Sequence, residues 1–132
     1  MNHEGAMLAF ARLAALSARK QQLIGRDKFL ILAGAAACRA GWPEVADRCR
    51  ELVLQNNKLH IVGHNSTFAD AMRDDDFKMF ANKLDRFCTF ERAEHLLEDL
   101  GIEIELPADS QKNAGDFALS LLSRDSFKMN RH

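Results

Sequence analysis

The chain has 132 residues, 47% hydrophobic and 28% charged, with 18 Lys and Arg against 19 Asp and Glu. Such a composition supports a core and excludes wholesale disorder, while a net charge of −1 argues against the basic excess of a nucleic-acid-binding module. Two Pro and seven Gly are too few for a turn-dense sandwich or barrel, so the composition leans helical.

Taken in chain order, Ala6 to Leu23 reads as a helix, with Phe10, Leu13, Leu16 and Leu23 along one stripe and Arg12, Arg19 and Lys20 largely off it. Gly25 is the expected stop, and Asp27 the expected N-cap of a second helix that ends at Gly41. Phe29 to Ala37 is apolar on every face, as in a helix at the centre of a domain. Gly34 costs such a helix roughly 1 kcal/mol against Ala and so predicts a close packing contact. Trp42-Pro43-Glu44 opens a third helix with Pro at its first position. Val45, Ala46, Cys49, Leu52 and Val53 form its stripe, and Asn56-Asn57 its end. The short connection makes residues 27–57 an antiparallel hairpin.

Leu59–Val62 reads as a short strand or extended link broken by Gly63. Asn65 or Ser66 caps a short helix bearing Phe68 and Met72, Asp75 or Asp76 caps the next, and Thr89 caps another that Gly101 closes. Residues 102–106 alternate as a strand does before Pro107, and a two-stranded pairing of 59–62 with 102–106 is the one β element the pattern admits. Asp109 or Ser110 caps a last helix through Leu122, and 124–132 reads as a flexible polar tail. The expectation is one all-α domain over 1–132, with six or seven helices in antiparallel hairpins, arranged as a bundle or in helical-repeat fashion.

Glu44-x-Ala46-Asp47-Arg48-x-x-Glu51 is echoed by Glu91-x-Ala93-Glu94-His95-x-x-Glu98. The first hairpin also resembles one helical unit of a tetratricopeptide-type repeat, with Ala33, Ala37, Gly41 and Ala46 near that motif's small positions. The chain has no Tyr, and Lys58 stands where the motif closes with Pro, so no family is assigned.

Catalytic and metal-binding patterns are weak. His60 and His64 have the four-residue spacing of a helical zinc pair, but an extended segment removes the shared face that spacing requires. Asp74-Asp75-Asp76 lacks the alternation and closing Glu of a calcium loop, and capping explains it. Glu91, Glu94, His95 and Glu98 lack the second Glu-x-x-His copy of a di-iron bundle. Ser66 lies near His64 and Asp70 without a nucleophile elbow, and no phosphate-binding glycine loop is present. No cofactor is expected. The metal-binding alternative needs at least three of His60, His64, Asp70, Glu91, Glu94 and His95 to converge.

Three widely spaced cysteines, Cys38, Cys49 and Cys88, suit a reducing, cytoplasmic setting. Glu4 and Arg12 speak against a secretory signal, while the acid-free basic stretch 6–26 has some transit-peptide character. No apolar run approaches the roughly 20 residues of a membrane span.

The small net charge hides an asymmetry. Residues 1–40 carry net +4, 41–110 net −7 and 111–132 net +2. Glu98 and Asp99 fall in a helix's last turn, against its dipole, which hints at an external use. The sequence therefore predicts a non-catalytic protein–protein interaction or scaffold module that self-associates, with neither nucleic acid nor membrane as partner. The candidate interaction residues are Trp42, Arg12 and Arg19, and the acidic set Glu91, Glu94, Glu98 and Asp99.

Overall fold

A computed structural model describes residues 2–103, 113–123 and 127. Among them the fold is all-α, with seven α-helices and no strand. The helices are α1 (His3–Arg19), α2 (Leu23–Ala40), α3 (Pro43–Asn56), α4 (Phe68–Ala71), α5 (Asp75–Phe87), α6 (Phe90–Asp99) and α7 (Ala114–Leu122), with a 3-10 turn at Ile61–His64.

The central pair is α1 and α2, joined by three residues and so antiparallel. Helix α1 starts earlier than the periodicity suggests, because Asn2 accepts a hydrogen bond from the Gly5 N–H at 2.7 Å. It also ends earlier. The chain reverses at Lys20-Gln21, with Gln21 in the left-handed region at φ 59°, and α2 begins at Leu23. Gly25 and Asp27 therefore lie inside α2; Gly25 is not a stop and Asp27 is not an N-cap.

Leu30 to Ala37 is buried without interruption, as an all-apolar helix requires. Gly34 has its packing reason: a Cβ there would collide with the Phe68 ring that α4 lays across it. Gly41 ends α2 at φ 84°, and Pro43 opens α3 at its first position. Helices α3 and α7 pack against each other, α3 also against α2 and α7 also against α1, which completes a four-helix core. Trp42 fastens its corner. A Cβ on Gly115 of α7 would overlap the Trp42 ring, and the indole Nε1–H donates to Glu4 Oε2 at 2.7 Å.

The outer helices sit on this core by strong one-sided faces, α5 against α2 and α6 against α1. Asp74 caps α5 in place of the expected Asp75 or Asp76, and Thr67 caps α4 in place of Asn65 or Ser66. Thr89 caps α6 as expected, accepting from the Arg92 N–H at 3.2 Å. Leu59–Val62 is not a strand: Leu59 belongs to a turn, His60 caps the 3-10 turn and Ile61-Val62 open it, held by Gly63 N–H to His60 carbonyl at 2.9 Å. Of its expected partner, residues 102–106, Ile102 and Glu103 are not in a strand, and 104–106 lie outside the described residues, as do Asp109 and Ser110. Helix α7 is capped by Asn113. Within 124–132 the described residue is Phe127, which is buried.

Candidate interaction surface

The first turns of α2 invert the usual partition. Ile24 is 77% exposed, while Arg26 is 1% exposed and Asp27 is also buried. Residues 24 and 28 share a face at four-residue spacing, so Ile24 and Lys28 look outward together. Lys28 Nζ lies 4.6 Å from the Phe87 ring centroid, and the Phe29 and Phe87 rings are 6.4 Å apart. The N-terminal part of α2 is thereby joined to the end of α5.

Along α5, Met79, Lys83 and Phe87 recur every fourth residue on one face, with Met79 62% and Phe87 49% exposed. Phe80 beside Met79 meets the His60 ring edge-on at 5.4 Å, and next to His60 stands Leu59, 90% exposed. Ile24, Phe87 and Met79 thus lie along one belt over α2 and α5, and Leu59 is exposed on the segment after α3, which the His60–Phe80 contact brings beside α5. Lys28 and Lys83 lie within it, and the exposed Lys58 and Arg86 adjoin Leu59 and Phe87. None of these four cations forms an ion pair among the described residues. The belt is apolar with cations along it, and the exposed Asp75 and Asp76 stand one turn before Met79 at the start of α5.

A buried polar group adjoins it. Arg26 Nη2 donates to the Leu52 carbonyl at 2.6 Å, and the guanidinium faces the Phe127 ring at 5.6 Å. Arg26 Nε is 3.7 Å from Asp27 Oδ1, and Asp27 Oδ2 accepts from Asn56 Nδ2 at 2.7 Å. Burial pushes the Asp27 carboxyl up, against the lowering influence of Asn56 and Arg26. Burial pulls His60 down, and its Nδ1 accepts the Val62 N–H at 3.0 Å, a bond only the neutral ring makes. This group holds the start of α2, the end of α3 and the following turn in one arrangement, which fixes Ile24, Lys28 and Leu59 relative to one another.

The residues singled out from the sequence fall in separate places. Trp42 spends its ring on Gly115 and its N–H on Glu4. Arg12 is half-buried with its guanidinium 5.1 Å from the Phe117 ring centroid, while Arg19 is exposed in the last turn of α1. On α6, Glu91, Glu98 and Asp99 are exposed and Glu94 is half-buried. Glu98 approaches His95 at 4.0 Å, and Glu91, Glu94 and Asp99 form no ion pair among the described residues.

The metal-ligand candidates do not assemble. Among the described residues no three of His, Cys, Asp and Glu are grouped to hold a metal ion. His64, Ser66 and Asp70 do share an open basin of about 530 Å³ with Asn65, Arg73 and Asp74. Four of these residues are engaged in pairs: Asp70 meets Arg73 at 3.5 Å, and Asp74 accepts from Asn65 at 3.4 Å and caps α5. These hydrogen bonds hold the Asp74 carboxyl below its ordinary range. Among the described residues no hydrogen bond links Ser66 to His64. The three cysteines are free thiols, and burial raises Cys38 to about 11 and shifts Cys49 and Cys88 upward too.

The belt escaped a reading built on helical stripes because its members come from separate helices. Its sequence signal was the apolar pair Leu23-Ile24, just before the charged pair Arg26-Asp27. No helix among the described residues is long and apolar enough to cross a membrane. No family model, curated protein or solved structure matches the chain.

Proposed function

We propose that the chain is a non-catalytic helical interaction module whose docking surface is the belt of Ile24, Phe87 and Met79 with Leu59 beside it, and that its partner is a protein surface that is apolar at its centre and acidic at its edge. The observation that carries this reading is the belt itself. Large apolar side chains exposed together on one side of a small domain favour association, and each one buried by a partner is worth about 1.5–3 kcal/mol. Lys28, Lys58, Lys83 and Arg86, which form no ion pair among the described residues, set the sign of that partner.

Nucleic acid is a poorer fit. Of the five cations from Arg12 to Lys28, Arg26 is buried, Arg12 rests on Phe117 and Lys28 on Phe87, leaving Arg19 and Lys20 fully at the surface. Three free cysteines accord with a cytoplasmic location.

A synthetic amphipathic helical peptide of Leu and Glu, labelled for fluorescence anisotropy, tests the reading. Binding is expected, weakening as salt is raised, and falling about tenfold or more in Ile24→Ser/Phe87→Ser. A peptide with Lys in place of Glu is expected not to bind. Absence of binding, or equal binding by the belt variant, would remove the proposal.

A further inference from the structure

We infer that the outer face of α5 docks on the same face of a second copy of this chain, the two helices antiparallel about a two-fold axis. This inference rests on the proposed docking function and names its partner. Helix α5 buries Phe77, Ala81 and Leu84. On the opposite side, at three- and four-residue spacing, Asp75, Met79, Asn82 and Arg86 form a ridge, with Asp76 and Lys83 beside it, all exposed. The ridge changes sign along its length. Asp75 and Asp76 stand in the first turn, Lys83 and Arg86 stand towards the end, and Met79 lies between them. Lys28 of α2 joins the basic end, where it rests on Phe87, and Ile24, one turn from Lys28, flanks the same end.

Such a face is complementary to itself when reversed. About an axis level with Ala81, Asp75 and Asp76 of one copy come level with Phe87 and Arg86 of the other. Helical register then puts Asp75 on the same flank as Arg86 of the other copy, brings Lys83 of that copy within reach of Asp76, and sets the two Met79 side chains beside the axis. A parallel pairing would set acid on acid and base on base. Because one surface serves both copies, the contact is isologous and closes at two. The charges are available for it. Asp75 has Lys78 at 3.9 Å but a side chain 97% exposed, and Asp76, Lys83 and Arg86 form no ion pair among the described residues. The helix dipole favours acids at the start of α5 and bases at its end. It does not account for Met79 and Phe87 standing exposed on that same side, and a second α5 covers both.

Sedimentation of the full chain across the micromolar to millimolar range, at low and high salt, tests this with two charge-reversed variants. Wild type is expected to form dimers and nothing larger, more weakly at high salt. Asp75→Lys/Asp76→Lys makes the face basic throughout, and Lys83→Glu/Arg86→Glu makes it acidic at both ends. Each alone is expected to dimerise about tenfold or more weakly, since like charges then face each other, and their equimolar mixture is expected to form a one-to-one dimer. Met79→Cys reads the orientation: under a mild thiol oxidant it is expected to cross-link to its own copy, while Asp76→Cys, far from the axis, is not. Circular dichroism and melting curves check that the variants fold, and if a charge variant does not, Met79→Cys at its exposed site carries the test. Variants that dimerise like wild type, a mixture that stays monomeric, or a Met79→Cys chain that does not cross-link would overturn the pairing. If wild type stays monomeric while the Leu/Glu peptide still binds the belt, the second copy is excluded and the docking function stands. If the peptide fails as well, both readings fall.

Discussion

Between Leu30 and Ala37, α2 buries every residue, and its glycine is there because Phe68 fills the space a side chain would need. A few residues earlier the same helix turns Ile24 to solvent and encloses Arg26 and Asp27. One end follows the partition that apolar burial dictates, and the other reverses it. The reversal has two halves with different costs. An enclosed ion pair is tolerable only because Leu52, Asn56 and the Phe127 ring meet it. An exposed Ile gains little from the described residues, and on the proposed reading its use lies with a docking partner.

The enclosed half should break most sharply. Arg26→Met leaves Asp27 buried without its cation and the Leu52 carbonyl without its donor, a loss of about 3–5 kcal/mol. Arg26→Met/Asp27→Asn removes both charges while keeping an acceptor for Asn56, and should recover much of it. Urea unfolding of the two variants decides. If the single variant is as stable as wild type, the network does not hold the start of α2.

The ordered end predicts a smaller loss. Gly34→Ala gains roughly 1 kcal/mol of helix propensity but forces the Phe68 ring aside, and overpacking costs about 1–3 kcal/mol. A net loss is expected, partly reversed by adding Phe68→Leu. A stabilised Gly34→Ala would show that α4 yields freely.

The two ends of α2 were not equally legible. Its apolar run and Gly34 pointed correctly to a central helix with a close neighbour, and Thr89 and Pro43 marked helix starts where they occur. The start of α2 was misplaced because the real reversal, at Gln21, uses a non-glycine residue in the left-handed region, and Gln22 caps without a side-chain hydrogen bond. Gly25 and Asp27 offered a stop and a cap in the usual order and drew the boundary to themselves. Asp27 needed Asn56, 29 residues on, and no local pattern reports such a partner. Leu59–Val62 has the residues of a strand, but a 3-10 turn satisfies its backbone locally. The acids of α6 were visible as a charged surface, while the belt is assembled from separate helices and appears only in the fold.

Acid should loosen the inverted end before the ordered one. His60 is held below its ordinary value near 6.5, so its contribution is complete above that value and is lost as pH falls through the folded-state value. Asp27 is held above its ordinary value of 3.8, so its ionised form is the costly one and stability returns as it protonates at lower pH. Between about pH 7 and pH 5 the histidine loses its contribution, while protonation of Asp27 acts in the opposite sense. Wild-type urea midpoints should fall over that interval, and His60→Asn, which keeps an acceptor near Val62, should flatten the slope. An unchanged slope in that variant would place the pH dependence elsewhere.

The smallest stability effect belongs to Ile24, and it is the sharpest separation of the two ends. Leu30→Ala, six residues along the same helix, removes a buried side chain and should cost about 2–5 kcal/mol. Ile24→Ser replaces an exposed side chain by one of similar helix propensity, so its effect should stay within about 0.5 kcal/mol. Two substitutions on one helix would then divide cleanly, one unfolding the domain and the other leaving its urea midpoint in place while weakening association. Should Ile24→Ser cost as much as Leu30→Ala, Ile24 is part of the chain's own core and the inverted end of α2 is no docking surface. Should it cost nothing and change no association either, the exposed isoleucine is incidental, and the belt must be redrawn around Phe87 and Met79.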